Sequence, residues 1–175
     1  MFVNRPLVIN GWNIFTHPLF LNQLEQILLQ VEQLRQKHPK DYKKKNTTKC
    51  LAAMAKLAFE VIPQDPTRSD YRQGNTLGDD YKHWFRAKFF QQYRLFFRYH
   101  QESKIIVFAW VNDDNSKRAY KSKTDAYLVF KKMLEDGNPP DNWDDLLKDA
   151  EGKTNRLEKT VEYCDRSGLI NGNIE

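Results

Sequence analysis

Apolar positions recur along this chain with two different periods. Leu21, Leu24, Leu28, Val31 and Leu34 follow one another at spacings of three and four, with Ile27 beside them. That spacing lays one apolar stripe along an amphipathic helix and predicts a helix over about 18–37, stopped by Pro39. A second helix is expected from Asp41 to Ile62. Its first half, DYKKKNTTK, is basic, and its second half, CLAAMAKLAFEVI, is apolar enough to be buried. Pro63 and Pro66 end it. The stretch PQDPTRSDYRQGNTLGDD, 63–80, reads as a loop by composition, with Gly74 and Gly78 flanking a turn. Its length fits either a plain connector or a functional loop.

From Trp84 onward the period changes to two. YKHWFRAKFF, QQYRLFFRYHQESKIIVFAW and VNDDNSKRAYKSKTDAY are dense in Phe, Tyr, Trp, Val and Ile, which favour a pleated surface. Three antiparallel strands are predicted over about 84–90, 93–100 and 104–111, with tight links at Gln91-Gln92 and Gln101-Glu102-Ser103. Alternation places Tyr93, Leu95, Phe97 and Tyr99 on one face of the second strand, suited to packing on helices, and Arg94, Phe96, Arg98 and His100 on the other. The third strand is apolar on both faces after Lys104, so it is expected in the middle of the sheet. The simplest assembly gathers Arg86, Lys88, Arg94 and Arg98 on one concave sheet face that invites an anion; a solvated charged face is the plain alternative.

Beyond the strands, Ser122 and Asp125 stand at capping-box spacing before Ala126, Tyr127, Val129, Phe130 and Leu134. A helix is expected over about 124–135, stopped at Gly137 with Pro139-Pro140 beyond. A short acidic helix over Asp141–Ala150 and another over about 154–165 complete the reading. With 175 residues, one domain, 1–175, is expected, its tail from 152 peripheral. No run of about 18 apolar residues exists, so no membrane span is expected. The N-terminus is too short and polar for a signal peptide, and Cys50 and Cys164 stand apart, as in a reducing compartment, so a cytoplasmic location is expected.

Charge changes the picture through its distribution. Residues 81–132 hold 12 Lys or Arg against 4 Asp or Glu, and residues 33–49 hold 7 against 1. Residues 133–151 reverse the balance, with 1 basic and 7 acidic. A polyanion is the natural partner of the basic part, and the acidic segment can cover basic surface within the fold.

Several chemistries are excluded by their missing signatures: there is no GxGxxG, no P-loop, no GxSxG and no HExxH. None of His17, His38, His83 and His100 is spaced with a second His or Cys as a metal ligand, so neither a metal nor a cofactor is expected. His17 and His38 fall at helix ends, in structural positions; His83 and His100 fall near the basic face. The sharpest feature is NDDNSKRAYKSKTDAY, which offers Lys117, Arg118, Tyr120, Lys121, Lys123 and Tyr127 within eleven positions. Loops after strands carry function on a rigid scaffold. Cations interleaved with aromatics suit unpaired nucleic acid, where rings stack on bases and cations hold phosphates. Cleaving RNA there requires a base for the 2′-hydroxyl, charge stabilisation on the phosphate and an acid for the leaving oxygen; Lys, Arg and Tyr fill those roles once their pKa values are shifted.

The order of these motifs, with GW near the N-terminus, YRLFFRY, WVNDDNSKRAYKSKTDAY and GNPPDNW, resembles the RelE-type toxins of toxin–antitoxin systems from Gly11 to about Leu147. The resemblance implies an α+β fold of RelE-like design: a small antiparallel sheet packed against N-terminal helices, with further helices at the C-terminal side. It implies an mRNA endoribonuclease that acts on ribosome-bound message without a metal, neutralised by a cognate antitoxin resembling PrlF with a swapped-hairpin DNA-binding domain. The family's functional cations fall on Arg86, Lys88, Arg94 and Arg118, and its aromatic position on Tyr127. Lys121 and Arg118 both stand at candidate loop positions for contact with the scissile phosphate. Arg94, Arg118, Lys121, Lys88 and Tyr127 are therefore the expected catalytic group, and Arg86, Arg98, Lys117, Tyr120 and Lys123 the expected RNA contacts. Two other readings share the basic face: a non-catalytic RNA- or ribosome-binding module that blocks translation by occupancy, and a purely structural partner in a toxin–antitoxin complex.

Overall fold

A computed structural model of the chain describes residues 6–113 and 125–169. Its centre is a five-stranded sheet of order β1-β2-β5-β4-β3, built from β1 Leu7–Ile9, β2 Trp12–Thr16, β3 Phe85–Phe89, β4 Tyr93–His100 and β5 Ile105–Val111. As its two apolar faces require, β5 lies in the middle. The antiparallel trio β3-β4-β5 falls where the period of two placed it, in register Lys88↔Arg94, Arg86↔Phe96 and Phe97↔Phe108, with an irregularity between Phe96 and Phe97.

Two features depart from the expected sheet. The N-terminal residues form a hairpin, β1 with β2, closed by Asn10 and Gly11 in left-handed conformation at φ 51° and 80°. Moreover, β2 pairs parallel with β5, so the sheet is mixed.

Helices cover both faces. On one side lie α1 Pro18–Lys37, α2 Asn46–Lys56 and α5 Thr154–Arg166. Phe20, Leu21 and Leu24 of α1, Leu51 and Met54 of α2 and Leu157 of α5 join Ile14, Leu95, Phe97 and Phe108 in one core. On the other side α3 Ala126–Glu135 and α4 Trp143–Glu151 bury Phe130, Leu134 and Leu146 against Trp84, Phe96, Val107 and Trp110. The helix expected over Asp41–Ile62 is divided. Its lysine-rich start is a short turn, Tyr42–Lys44, and α2 begins only at Asn46. Near Pro63, which lacks an N–H and crowds the preceding turn, the helix widens over Leu57–Val61 and tightens over Ile62–Gln64. Neither Cys50 nor Cys164 is in a disulfide, and burial pushes the Cys164 thiol up to about 12. Among the described residues no helix is long and apolar enough to cross a membrane.

Candidate functional site

The expected open face of four cations is not what forms. Phe96, between Arg94 and Arg98 on β4, stacks on Phe130 of α3 at 4.1 Å and divides them. Four residues of strand place Arg98 about 13 Å from Arg94. Arg86, Lys88 and Arg94 remain together at the hairpin end of β3 and β4, where Lys88 and Arg94 are cross-strand partners.

The β3–β4 hairpin turns through Phe90 and Gln91, both at positive φ, 45° and 63°. Neither is the glycine or asparagine that this region favours, and each costs roughly 1 kcal/mol. Neighbouring side chains hold the turn. Arg94 Nη1 donates to the carbonyl oxygens of Gln91 at 2.7 Å and Tyr93 at 2.9 Å. Asn112, just past β5, accepts from the Arg94 amide at 2.6 Å and donates through Nδ2 to the Gln92 carbonyl at 3.0 Å. Gln23 of α1 fixes the same strand end by donating to the Val111 carbonyl at 2.6 Å and accepting from its amide at 3.1 Å.

Tyr127 brings the cations to a point. Asp125 caps α3, accepting from the Tyr127 amide at 3.1 Å, and so sets the first turn of the helix over the sheet. The Tyr127 hydroxyl then accepts from Arg86 Nε at 2.9 Å and from Arg94 Nε at 3.1 Å. Arg86 is further held through Nη1 by the Asp70 carbonyl at 2.5 Å. Arg94 is 6% exposed and Tyr127 4%, whereas Arg86 is half-buried and Lys88 exposed. The two guanidinium Nε atoms lie within about 6 Å of each other, a repulsion of roughly 3 kcal/mol at an effective dielectric of 20. Among the described residues neither arginine, nor Lys88, forms an ion pair with a carboxylate. The site is thus a cluster of fixed guanidinium donors whose positive charge meets no carboxylate among the described residues, an arrangement suited to a phosphate gaining charge in a transition state. The Tyr127 ring packs edge-on against Phe96 at 5.7 Å and, buried, presents no face to a base; its hydroxyl organises the arginines.

Arg98 serves a different neighbourhood. Its guanidinium lies over Trp84 at 5.5 Å and Trp143 at 5.2 Å, and Nη1 donates to the Asp141 carbonyl at 2.6 Å. Burial lowers its pKa, and the Asp141 charge partly offsets this. The Asp141 carboxylate also meets His83 Nε2 at 2.6 Å and accepts from Trp84 Nε1 at 2.8 Å. These contacts pin the link between α3 and α4 to the sheet. His17 caps α1, its Nδ1 accepting from the Leu19 amide, while Nε2 meets Asp149 at 3.2 Å. Lys117, Arg118, Tyr120, Lys121 and Lys123 lie outside the described residues, as does Ser122. Sequence reasoning missed Asn112 and Gln23, whose single polar side chains carry no periodic signal.

Residues 14–151 match the family of YhaV toxins, described as a toxin with endonuclease activity, of toxin–antitoxin systems. Over 148 residues the chain is 42% identical to the ribonuclease toxin YhaV of Escherichia coli strain K12, a match covering 83% of this chain and 96% of the relative. The toxin YhaV of Escherichia coli O157:H7 and that of Escherichia coli O6:H1 match with the same identity and coverage. No solved structure matches significantly.

Proposed function

Because the chain belongs to the YhaV toxin family, toxins with endonuclease activity of toxin–antitoxin systems, we propose that it cuts mRNA on the ribosome by attack of the 2′-hydroxyl on the adjacent phosphate, without a metal. One observation supports this most: two guanidiniums converge on the Tyr127 oxygen with no carboxylate to neutralise them among the described residues. In this reading the scissile phosphate sits at the rim made by Arg86 and Lys88, and Arg94 supports it from beneath by its charge, its Nε and Nη1 being held by Tyr127 and the hairpin carbonyls. The 2′-oxygen bonds to phosphorus as its proton passes to a base, for which Lys88 is placed beside Arg94. The bond from phosphorus to the 5′-oxygen breaks, and the leaving oxygen takes a proton, a role proposed for Arg118 or Lys121. The products are a 2′,3′-cyclic phosphate, or the 3′-phosphate it hydrolyses to, and a 5′-hydroxyl. Tyr127 acts by positioning both arginines; Lys117, Tyr120 and Lys123 remain the proposed outer RNA contacts, while Arg98, held over Trp84 and Trp143, serves the fold. A cytoplasmic antitoxin of the PrlF type silences the enzyme by covering Arg86 and Arg94.

The test is cleavage of a reporter mRNA in a reconstituted translation reaction. Arg94→Ala is expected to lose at least about 100-fold, the scale of one preorganised charge-stabilising group. Arg94→Lys, which keeps the charge without the fork, should stay far below wild type. The double variant His83→Ala, His100→Ala should keep most activity, and EDTA should leave cleavage of a model RNA unchanged. A dead histidine variant beside an active Arg94→Ala would overturn the assignment.

A further inference from the structure

Phe90 stands at the tip of the hairpin that carries Lys88 and Arg94. The residue is 53% exposed, although Phe is a residue that folding normally removes from water. Its backbone is at φ 45°, a conformation that a residue with a β-carbon adopts at a cost. The exposure is not the outcome of a loose tip. Phe90 O accepts from the Gln92 amide at 2.7 Å, Gln91 O accepts from Arg94, and Gln92 O accepts from Asn112. The ring rests edge-on against Phe89 at 5.6 Å, itself stacked on Tyr93 at 5.3 Å. Strain of this kind persists where the surroundings over-determine it, and it concentrates at functional sites. Arg94 and Asn112, which belong to the site, hold the two residues that follow Phe90 in the turn, Gln91 and Gln92.

The surroundings select the occupant. From Tyr81 to Gln101 the chain has no Asp or Glu, while it carries Lys82, Arg86, Lys88, Arg94 and Arg98. An exposed ring set in purely cationic chain matches an unpaired nucleotide, whose base stacks while its phosphate meets the cations. We propose that Phe90 is a stacking platform at the hairpin tip for an unpaired base of the RNA whose phosphate is held at Arg86 and Arg94, and so a residue that sets which sequences are cut. This rests on the reading of that cluster as the phosphate site.

The experiment uses a fluorescein-labelled 2′-O-methyl hexanucleotide, which lacks the attacking hydroxyl, and reads its affinity by anisotropy. Phe90→Ala should bind about tenfold more weakly, the scale of one base–aromatic stack, and Phe90→Trp should bind at least as tightly as wild type. Phe90→Gly relieves the strain, so it should unfold at the same or a higher temperature while binding as weakly as Phe90→Ala. In the translation reaction, primer extension should show a broader set of cut sites for Phe90→Ala and an unchanged set for Phe90→Trp. Weak binding by Arg94→Ala with unaltered binding and cut sites in Phe90→Ala would overturn the stacking role alone. Unaltered binding and cleavage in Arg94→Ala would overturn the phosphate site itself. A Phe90→Ala protein that cuts as wild type but escapes its antitoxin would make the tip a protein anchor, which also overturns the proposal.

Discussion

Tyr127→Phe removes one oxygen and tests whether that oxygen organises the site. The ring is buried against Phe96, so a phenylalanine keeps the packing. What disappears is the acceptor shared by Arg86 Nε and Arg94 Nε. A hydrogen bond to a charged group contributes about 1.5–3 kcal/mol, and a buried donor left unpaired costs a similar amount. Arg86 is half-buried and recovers part of its loss from water; Arg94, 6% exposed, recovers little. The net loss should therefore be about 2–4 kcal/mol, a drop in Tm of roughly 4–16 °C for a chain of this length. Cleavage should fall more steeply than stability alone explains, because both guanidiniums lose their aim. Two measurements separate positioning from generic damage. Added sulfate should raise the Tm of the variant more than that of the wild type, since an anion between the arginines replaces the missing acceptor and stabilises by mass action. A double-mutant cycle with Arg86→Gln should be non-additive for unfolding, since each single change already breaks the shared contact. A Tyr127→Phe protein with wild-type Tm, wild-type cleavage and no differential response to sulfate would refute the claim that the hydroxyl holds the pair.

Other consequences are open to direct measurement. If the exposed Lys88 meets a phosphate, Lys88→Gln should make the slope of log affinity against log salt shallower by about 0.7 for single-stranded RNA; an unchanged slope puts the backbone elsewhere. In hydrogen exchange of a co-expressed complex, the amides around Arg94 and Tyr127 should be protected by the antitoxin, and equal exchange with and without it rules out direct occlusion. His17 has a pKa lowered mainly by burial, against the raising effect of Asp149. Its contribution to stability is therefore complete above the unfolded value of about 6.5 and declines as the pH falls from there through the lowered folded value. His17→Asn keeps a capping side chain and should flatten the stability profile below pH 6.5; a profile as steep as wild type would assign the acid sensitivity to other groups.

Where one face of an element meets one core, its sequence sufficed to read it. The stripe from Leu21 to Leu34 predicts a helix over 18–37 and α1 spans Pro18–Lys37; the alternation in YRLFFRYH predicts β4 residue for residue. The N-terminal hairpin was not read: Asn10-Gly11 is a strong two-residue turn signal, but Leu7-Val8-Ile9 is too short a run to announce a strand unaided. The parallel pairing of β2 with β5 joins residues about ninety apart and leaves no local trace. The split of the second helix is partly legible in hindsight: Lys43, Lys44 and Lys45 offer no apolar stripe to bury, so nothing docks that turn as helix.

The site was legible as composition and illegible as geometry, for a physical reason. Alternation on β3 and β4 correctly put Arg86, Lys88, Arg94 and Arg98 on one face, yet a face is not a site. What parts Arg98 from the others is Phe96, whose own alternation puts it on the arginine face, where Phe130 covers it. A strand whose polar face also carries a large aromatic cannot be an open cationic surface, because that ring must be buried by something, here α3. The helix that buries Phe96 is the one that delivers Tyr127 onto Arg86 and Arg94. Asp125 caps that helix, and Asn112 ties the hairpin to the end of β5, so the two ends of the segment that carries Lys117, Arg118, Lys121 and Lys123 are fixed at the arginine pair. Packing on one side of α3 and chemistry at its first turn are therefore one arrangement. A change that loosens Phe130 against Phe96 should misplace Tyr127, and with it both guanidiniums, without touching a charged residue.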